Sequence, residues 1–514
     1  MAYRDFQHFL EDLEAKGELR RISEPVSPYL EITEIADRVV KSGGPALLFE
    51  RPVGPPPRIG TPDPASAVMG HDSIHPAAAP QGSVEYRQPV AINTMGTRRR
   101  MSLALSCEDF EEHAARIRDL VSTEPPKSKR AALNLIAHLI SEVKTAPPKT
   151  VTKAISQENV QKGDEIDLSR LPILTCWPED GGAFVTLPMV FTHDPATGKR
   201  NVGMYRLQVM GKDLLGMHWQ MHKTGQEHLK EAAKRGQPVQ VCVALGGDPA
   251  LAFSALAPLP PGIDEMLFAG FLRRQNVAMV KSLTNDMLVP ADAEIVIEGL
   301  VDPAERALEG PFGDHTGYYS LAEPFPVFRV KAVTMREHSV YPATVVGIPP
   351  MEDAWMGKAV ERIFLPLLQL TLPELVDIDL PVESCFHNIA FVSFKKKYPG
   401  HAYKVMNALW GMGQLAFSKF VFAFDEDCDV HNLAEVLFRI GANCDPSRDT
   451  LHSKGPVDHL DHAAQSIGFG GKIGFDCTHK WPGENGFARD FPKRIVMAPD
   501  VKTRIDELWP KLGL

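Results

Sequence analysis

Residues 201–223, NVGMYRLQVMGKDLLGMHWQMHK, limit what this chain can fold into more than any other stretch. Positions 202–210 are rich in β-forming side chains, Gly211-Lys212-Asp213 is a turn signal, and 214–221 return, which predicts a β-hairpin. Into its apolar runs are set Asn201, Tyr205, Arg206, His218, Trp219, Gln220 and His222. A hairpin suited to a core carries that much chemistry either on an ordinary outward polar face or because a site is built on the sheet. Thr224-Gly225-Gln226-Glu227 then matches a capping box, so a helix is expected from here to Gly236.

With 514 residues the chain has length for two to four domains. A hydrophobic share of 44% and a charged share of 23% are globular values. The net charge of −10 gives no footprint for nucleic acid, and a basic triplet such as Arg98-Arg99-Arg100 is too short to make one. The seven cysteines are scattered, odd in number and never spaced C-x-x-C, which fits a reduced, cytosolic compartment better than a disulfide framework or a zinc finger. The first 22 residues are charged and helical in pattern rather than a signal peptide, and no apolar run is long enough to span a bilayer.

Along the chain, Phe6, Phe9, Leu10 and Leu13 recur at helical spacing, 30–40 repeats the pattern, and 46–49 reads as a buried strand. Residues 52–89 are broken by prolines and read as a long loop or insertion. Helices are expected over 107–121 and 129–143. Pro147-Pro148 marks a boundary, after which strands dominate to about residue 326, in the manner of a β-barrel or mixed sheet. From 327 strands and helices alternate as in an α/β domain, ending in an amphipathic helix over 501–509. The organisation read is thus 1–147, an α/β domain with the Pro-rich insertion 52–89; 148–326; and 327–514.

Glu309-Gly-Pro-Phe-Gly-Asp314 places two carboxylates on a glycine-rich loop. Neighbouring carboxylates can have their pKa values pushed apart, leaving one protonated as a general acid, although solvated acids on a turn give the same pattern. His218 and His222, with Asn201 and Glu265, form an oxygen-rich set suited to Mn²⁺ or Mg²⁺ rather than structural zinc, though either histidine alone reads equally as a satisfied core residue. Gly468–Gly474 fits neither a dinucleotide fingerprint nor a P-loop, Asp458-His-Leu-Asp-His462 reads as a polar segment, and Ser254 and Ser466 lie in no nucleophile elbow.

Taken together, LEITEIADR (30–38), GGPALLFE (43–50), LPILTCWPED (171–180), NVGMYR (201–206), the MHWQMHK run, VPADAEIVIEG (289–299), EGPFGDHTGYY (309–319) and KWPGE (480–484) resemble the UbiD family of decarboxylases, which use prenylated FMN. The likeness runs over nearly the whole chain and is strongest to the bacterial 4-hydroxy-3-polyprenylbenzoate decarboxylases of ubiquinone synthesis. The resemblance implies an N-terminal α/β domain, a central split β-barrel of flavin-reductase type and a C-terminal α/β domain that mediates oligomerisation. It implies a divalent ion, usually Mn²⁺, between the cofactor phosphate and Asn201, His222 and Glu265, with K⁺ nearby. Cofactor-lining positions match Met204, Tyr205, Arg206, His218, Trp219, Gln220, Lys223 and Thr224, together with Thr186. The catalytic trio matches Arg206, Glu309 and Asp314, with Asp314 as proton donor.

The expected activity is therefore reversible, non-oxidative decarboxylation of an aromatic acid. Its substrate is 4-hydroxy-3-polyprenylbenzoate or, alternatively, a small phenolic, heteroaromatic or cinnamate-like acid. A reading of another class is a flavin-binding or assembly protein without turnover. The resemblance further implies a flavin prenyltransferase as cofactor supplier and a homo-oligomer, dimer or hexamer. It implies a cytoplasmic location, with peripheral contact at the inner membrane where the substrate is polyprenylated.

Overall fold

The helical spacing of Phe6, Phe9, Leu10 and Leu13 becomes the buried face of helix Phe6–Ala15, whose N-terminus Asp5 caps by accepting from His8 N. The computed structural model describes residues 2–57, 59, 82–121, 144–260 and 262–513. Strand Ala46–Phe49 is buried throughout because both its faces are covered. Ala46 and Leu48 pack with the first helix, while Leu47 and Phe49 pack with Ile32, Ala36 and Val40 of helix Glu31–Lys41. The sheet around it runs Leu19–Ile22, Ala46–Phe49, Val90–Ile92, Tyr341–Pro342, so its last strand arrives from far along the chain. At the ends of the Pro-rich stretch Val53–Gly54 pairs with Val84–Glu85. Much of that stretch, and the helix expected over 129–143, lies outside the described residues.

The central sheet has nine strands. Its order is Arg200–Gly203, Met189–His193, Val239–Leu245, Ile295–Glu309, Glu323–Met335, Leu214–Met217, Leu207–Val209, Phe184–Val185, with Asn159–Lys162 added to Glu323–Met335. Register shifts at Glu298/Gly299 and Val301/Arg306 bend the two long strands. The expected split β-barrel is not formed as a closed ladder: among the described residues the two end strands do not pair with each other. One of them is two residues long, and on the other the outward N–H of Val202 is taken by the Glu265 carboxylate at 3.0 Å instead of by another strand. Strand Glu323–Met335 carries this sheet past residue 326.

The hairpin differs from the sequence reading in a way that matters for the site. Leu207–Val209 does pair antiparallel with Leu214–Met217, but Arg200–Gly203 pairs with Met189–His193 at the other end of the sheet. Residues 204–206 cross between them and leave the ladder. At Gly203 the Tyr205 ring folds so close that an added Cβ would lie 2.3 Å from its hydroxyl, a contact only glycine allows. Helix Thr224–Arg235 begins one residue earlier than the capping box places it, with Lys223 rather than Thr224 at the N-cap, and ends at Gly236 in the left-handed region.

The C-terminal sheet runs Leu375–Asp379, Ile389–Phe394, Phe420–Asp425, Phe469–Asp476, Thr450–Pro456, with parallel pairing at its centre. Helices Glu352–Thr371 and His401–Trp410 pack with it. The glycine-rich 468–474 segment is an interior strand of this sheet. Helix Pro499–Leu512 closes the described chain with Val501, Ile505, Leu508 and Trp509 exposed. Among the described residues no helix is long and apolar enough to cross a membrane.

Candidate active site

Arg206 stands where the chain has left the ladder, and its guanidinium is the hub of the site. Nε donates to Glu309 Oε1 at 2.9 Å, Nη1 to Asp314 Oδ2, and Nη2 to Ser320 Oγ at 3.1 Å. Glu309 is the last residue of strand Ile295–Glu309, and Asp314 sits on the loop beyond it. The Glu309 side chain is 0% exposed, with Arg206 at 8% and Asp314 at 9%. The guanidinium also lies 4.6 Å from the centre of the Phe312 ring and 6.0 Å from that of Phe184. The expected trio is thus brought together.

The loop that carries Asp314 is fixed by its backbone. Gly310 N donates to Gln208 Oε1 at 2.8 Å, Phe312 N to Ser320 Oγ at 3.2 Å, and Gly313 N to Asp180 Oδ1 at 2.8 Å. The other Asp180 oxygen accepts from Cys176 N and Trp177 N at 3.0 and 2.9 Å. Gly313 packs against the Trp177 ring, where a Cβ would come within 2.2 Å. Burial pushes the Asp180 carboxyl up to about 7 against these donors. Gln208, Ser320 and Asp180 carry no chemical signature in the sequence, because each acts by taking an N–H or guanidinium from a distant segment.

The electrostatics differ from two acids pushing each other apart. Burial opposes ionisation of Glu309, but His218 and Arg206 outweigh it and draw its carboxyl below the usual glutamate range. His218 Nδ1 lies 3.0 and 3.1 Å from the two Glu309 oxygens. Burial and the Arg206 charge hold that imidazole below its ordinary value, so at neutral pH it offers a neutral N–H. For Asp314, too, burial is outweighed, here by the His315 hydrogen bond and the charges of Arg206 and His315, and its carboxyl is held well below the usual range. His315, donating to Asp314 Oδ1 from Nδ1 at 2.8 Å, is raised to about 9 by that partner despite burial. Both acids are therefore carboxylates, and the proton sits on His315.

The remaining predicted residues divide. Glu265, first in helix Glu265–Arg273, reaches the edge strand beside Asn201, and burial pushes its carboxyl up to about 7. Trp219 Nε1 is buried with no hydrogen-bond partner, and the buried Asn201 amide faces the Tyr205 hydroxyl. The Tyr205 ring is edge-on to Trp219 at 6.5 Å, and burial raises its hydroxyl to about 12. Gln220 Nε2 lies 3.4 Å from His218 Nε2, and Thr186 Oγ1 accepts from Thr344 N at 3.1 Å. Met204 is partly buried against the core, and Thr224 opens its helix. His222 is exposed, 4.9 Å from the Phe417 ring, and the charges acting on it are Lys223, Asp458 and His459. Lys223 is lowered by burial.

The C-terminal unit meets the site through His387, which the sequence did not single out, and through His459 and His462 of the segment read there as merely polar. His315 Nε2 lies 2.8 Å from His387 Nε2, His459 Nε2 lies 2.9 Å from Glu323 Oε2, and the Tyr318 and His462 rings are 3.9 Å apart. The 458–462 segment is thus a contact on the site's loop. Away from it, Glu361, Asp379 and His431 bring ligand-type atoms within 4.8 Å of one another. There Lys358 already bonds Glu361 at 3.0 Å and Asp379, and Arg362 lies 2.8 Å from His431, so cationic side chains fill the set.

Three family models match: the N-terminal, Rift-related and C-terminal domains of 3-octaprenyl-4-hydroxybenzoate carboxy-lyase, at residues 10–70, 149–349 and 354–477. An uncharacterized protein of Aquifex aeolicus is 47% identical over 100% of this chain and 99% of its own length. Vanillic acid decarboxylase of Sedimentibacter hydroxybenzoicus in its closed form is 25% identical at a TM-score of 0.82, covering 100% of this chain and 99% of that one. Its open form covers the same shares at a TM-score of 0.75 and 25% identity. The UbiD-class enzyme HmfF of Pelotomaculum thermopropionicum, in complex with FMN, is 27% identical at a TM-score of 0.74 over 97% of this chain and 98% of that one. An evolved dimeric form of it, in complex with prFMN, is 26% identical at the same score and coverage. Matched from its first domain to its last, and with the Arg206, Glu309 and Asp314 side chains gathered into one buried centre, the chain belongs to the UbiD family of carboxy-lyases.

Proposed function

We propose that this protein decarboxylates a 3-substituted 4-hydroxybenzoate with prenylated FMN. The observation that carries the reading is the buried Arg206–Glu309–Asp314 centre, since a scaffold without turnover has no use for two enclosed carboxylates. The substrate class is what two names have in common. The family models are described by an octaprenyl 4-hydroxybenzoate, and vanillic acid, in the name of the full-length neighbour, is a 4-hydroxybenzoate with a methoxy group at the same ring position. Of the two, the polyprenylated acid of ubiquinone synthesis remains the first reading and a small phenolic acid the alternative.

The residues present suit the cofactor and a divalent ion such as Mn²⁺. Trp219 holds a buried donor without a partner, and the Glu265 carboxyl, pushed up to about 7 by burial, would be favoured as a carboxylate by a bound cation. Asn201 and Glu265 would hold the ion, with His222 as the third ligand. Bound, the prenylated flavin supplies the electron sink for the carbanion, which no side chain offers. Arg206 spends its donors on Glu309, Asp314 and Ser320, so its part is to hold both acids ionised and aimed. His218 keeps Glu309 in place with a neutral N–H. Asp314 hands a proton to the carbon that loses CO₂. Homo-oligomerisation is supported by the exposed apolar face of helix Pro499–Leu512.

The test is a panel of 4-hydroxybenzoates bearing prenyl, methoxy, hydroxyl or hydrogen at position 3. Each is offered to protein co-expressed with a flavin prenyltransferase, with CO₂ release measured. Turnover should require the prenyltransferase and the 4-hydroxyl; no CO₂ from any member would sink the reading. Glu265→Gln and Asn201→Ala should each lower bound manganese and flavin, by metal analysis and absorbance, to a small fraction of wild type. Unchanged metal content would remove both residues from the ligand set.

A further inference from the structure

On the proposed reading, each turnover consumes a proton. The bond from ring carbon to carboxyl breaks, its electron pair stays on carbon, and a C–H bond forms. Asp314 is 6% exposed and held as a carboxylate, so it has no proton of its own to give and must receive one from a neighbour. Three groups contact its oxygens: Arg206, the His315 imidazole and the His315 backbone N–H. Arginine does not release protons in this range, nor does an amide.

We propose that His315 is the immediate source of the proton Asp314 delivers, and that His387, from the C-terminal unit, is the positioning residue that holds His315 in its donating orientation. The arrangement is linear. His315 Nδ1 meets Asp314 Oδ1 at 2.8 Å, and His315 Nε2 meets His387 Nε2 at 2.8 Å. Two facing ring nitrogens bond only when one carries a proton and the other does not. With His315 charged, its Nε2–H donates to His387, whose own proton is then on Nδ1, an atom buried without a partner. The backbone delivering His387 is strained to do so: Cys385 and Phe386, neither of them glycine, take φ of +58° and +43° after the turn Val382–Ser384. The Phe386 ring closes over His315 at 5.5 Å.

The surrounding charges agree. His315 faces Asp314, Asp458 and Asp353, the last pushed up to about 7 by burial, while His387 faces Asp458, Lys419 and Asp461. Burial and the His315 charge hold His387 down at about 4, so the cation of the pair rests on His315. In the transfer, the Nδ1–H bond of His315 breaks as an O–H bond forms on Asp314. That O–H then breaks as the product C–H forms. Neutral His315 recovers its proton from solvent, to which 15% of its side chain is open.

The experiment uses His315→Gln and His387→Asn in the prenylated holoenzyme, together with histidine-labelled NMR of wild type and Asp314→Asn, which needs no turnover. His315→Gln should lose on the order of 10²-fold in kcat or more, the usual weight of a proton donor. Its KM should stay near wild type, and added imidazole should restore part of the rate. His387→Asn should move the alkaline limb of the kcat profile to lower pH. In NMR two histidines should titrate near pH 9 in wild type, His315 and His431, the latter held up by Asp377 and Asp379, and His315 should return towards its ordinary value in Asp314→Asn while His431 stays. A His315→Gln enzyme with wild-type kcat, a loss that imidazole does not relieve, or a set of histidine titrations unchanged by Asp314→Asn would each overturn the proposal. Because the NMR arm is independent of substrate, failure of the panel above and failure of this pair are separate results.

Discussion

Arg206→Ala is expected to abolish turnover and to lower the free energy of unfolding by about 3–5 kcal/mol, the cost of removing one partner from a buried ion pair. The size follows from where the two acids sit. Burial alone would raise both Glu309 and Asp314, and the guanidinium is a shared reason that they are held low instead. Without it, two enclosed carboxylates lose the cation they share, and Phe312 and Phe184 lose the cation beside them. Lysine should not restore function, because three donors of one planar fork are used on three different partners. The pH dependence gives a signature. Groups with depressed folded pKa values contribute stability above their unfolded values, 4.5 for Glu309 and 3.8 for Asp314, and lose it as pH falls through the folded ones. The gap between wild type and Arg206→Ala in urea unfolding should therefore be wide at pH 7 and narrow progressively below about pH 4. Equal midpoints at pH 7 would mean that the guanidinium is not what neutralises the acids.

Helix Phe6–Ala15 and strand Ala46–Phe49 were legible because burial alone sets their pattern: apolar side chains at helical spacing, or an unbroken apolar run, need no distant partner to declare themselves. The hairpin was half legible. Its period could not say that residues 201–203 pair with Met189–His193, since that depends on Tyr205 folding over Gly203. A closed barrel was expected from resemblance, whereas the edge strand is finished by a carboxylate from helix Glu265–Arg273. Glu309 and Asp314 could be named from the loop motif, but not their charge state, which is decided by Arg206, His218 and His315 meeting in space. The 458–462 segment was read only as a polar stretch, and Asp180 only as part of a motif, for the same reason. An acid that accepts Gly313 N, or a histidine that meets Glu323, looks like any polar residue until the chain is folded. His222 was expected as a ligand, and the sequence carried no sign that its ring also lies 4.9 Å from that of Phe417.

The second large effect is chemical rather than structural. Asp314→Asn keeps the shape of the side chain and an oxygen for Arg206, so fold and flavin loading should survive. It removes the one oxygen that can carry a proton from His315 to carbon, and kcat should fall by about 10²–10⁴-fold, the range for losing a general acid. The two effects can be separated through His315. Its folded pKa, raised to about 9 by Asp314, gives stability that is fully present below its unfolded value of 6.5 and is lost as pH rises through about 9. Wild type should thus exceed Asp314→Asn in stability most clearly between about pH 4 and 6.5, where both groups of the pair are charged, and the margin should shrink above about pH 9. Flavin absorbance, kcat across this range and urea midpoints at three pH values measure all of it. If the variant keeps its flavin and still turns over within tenfold of wild type, the proton reaches carbon by another route, and Asp314 is a structural anion held by Arg206.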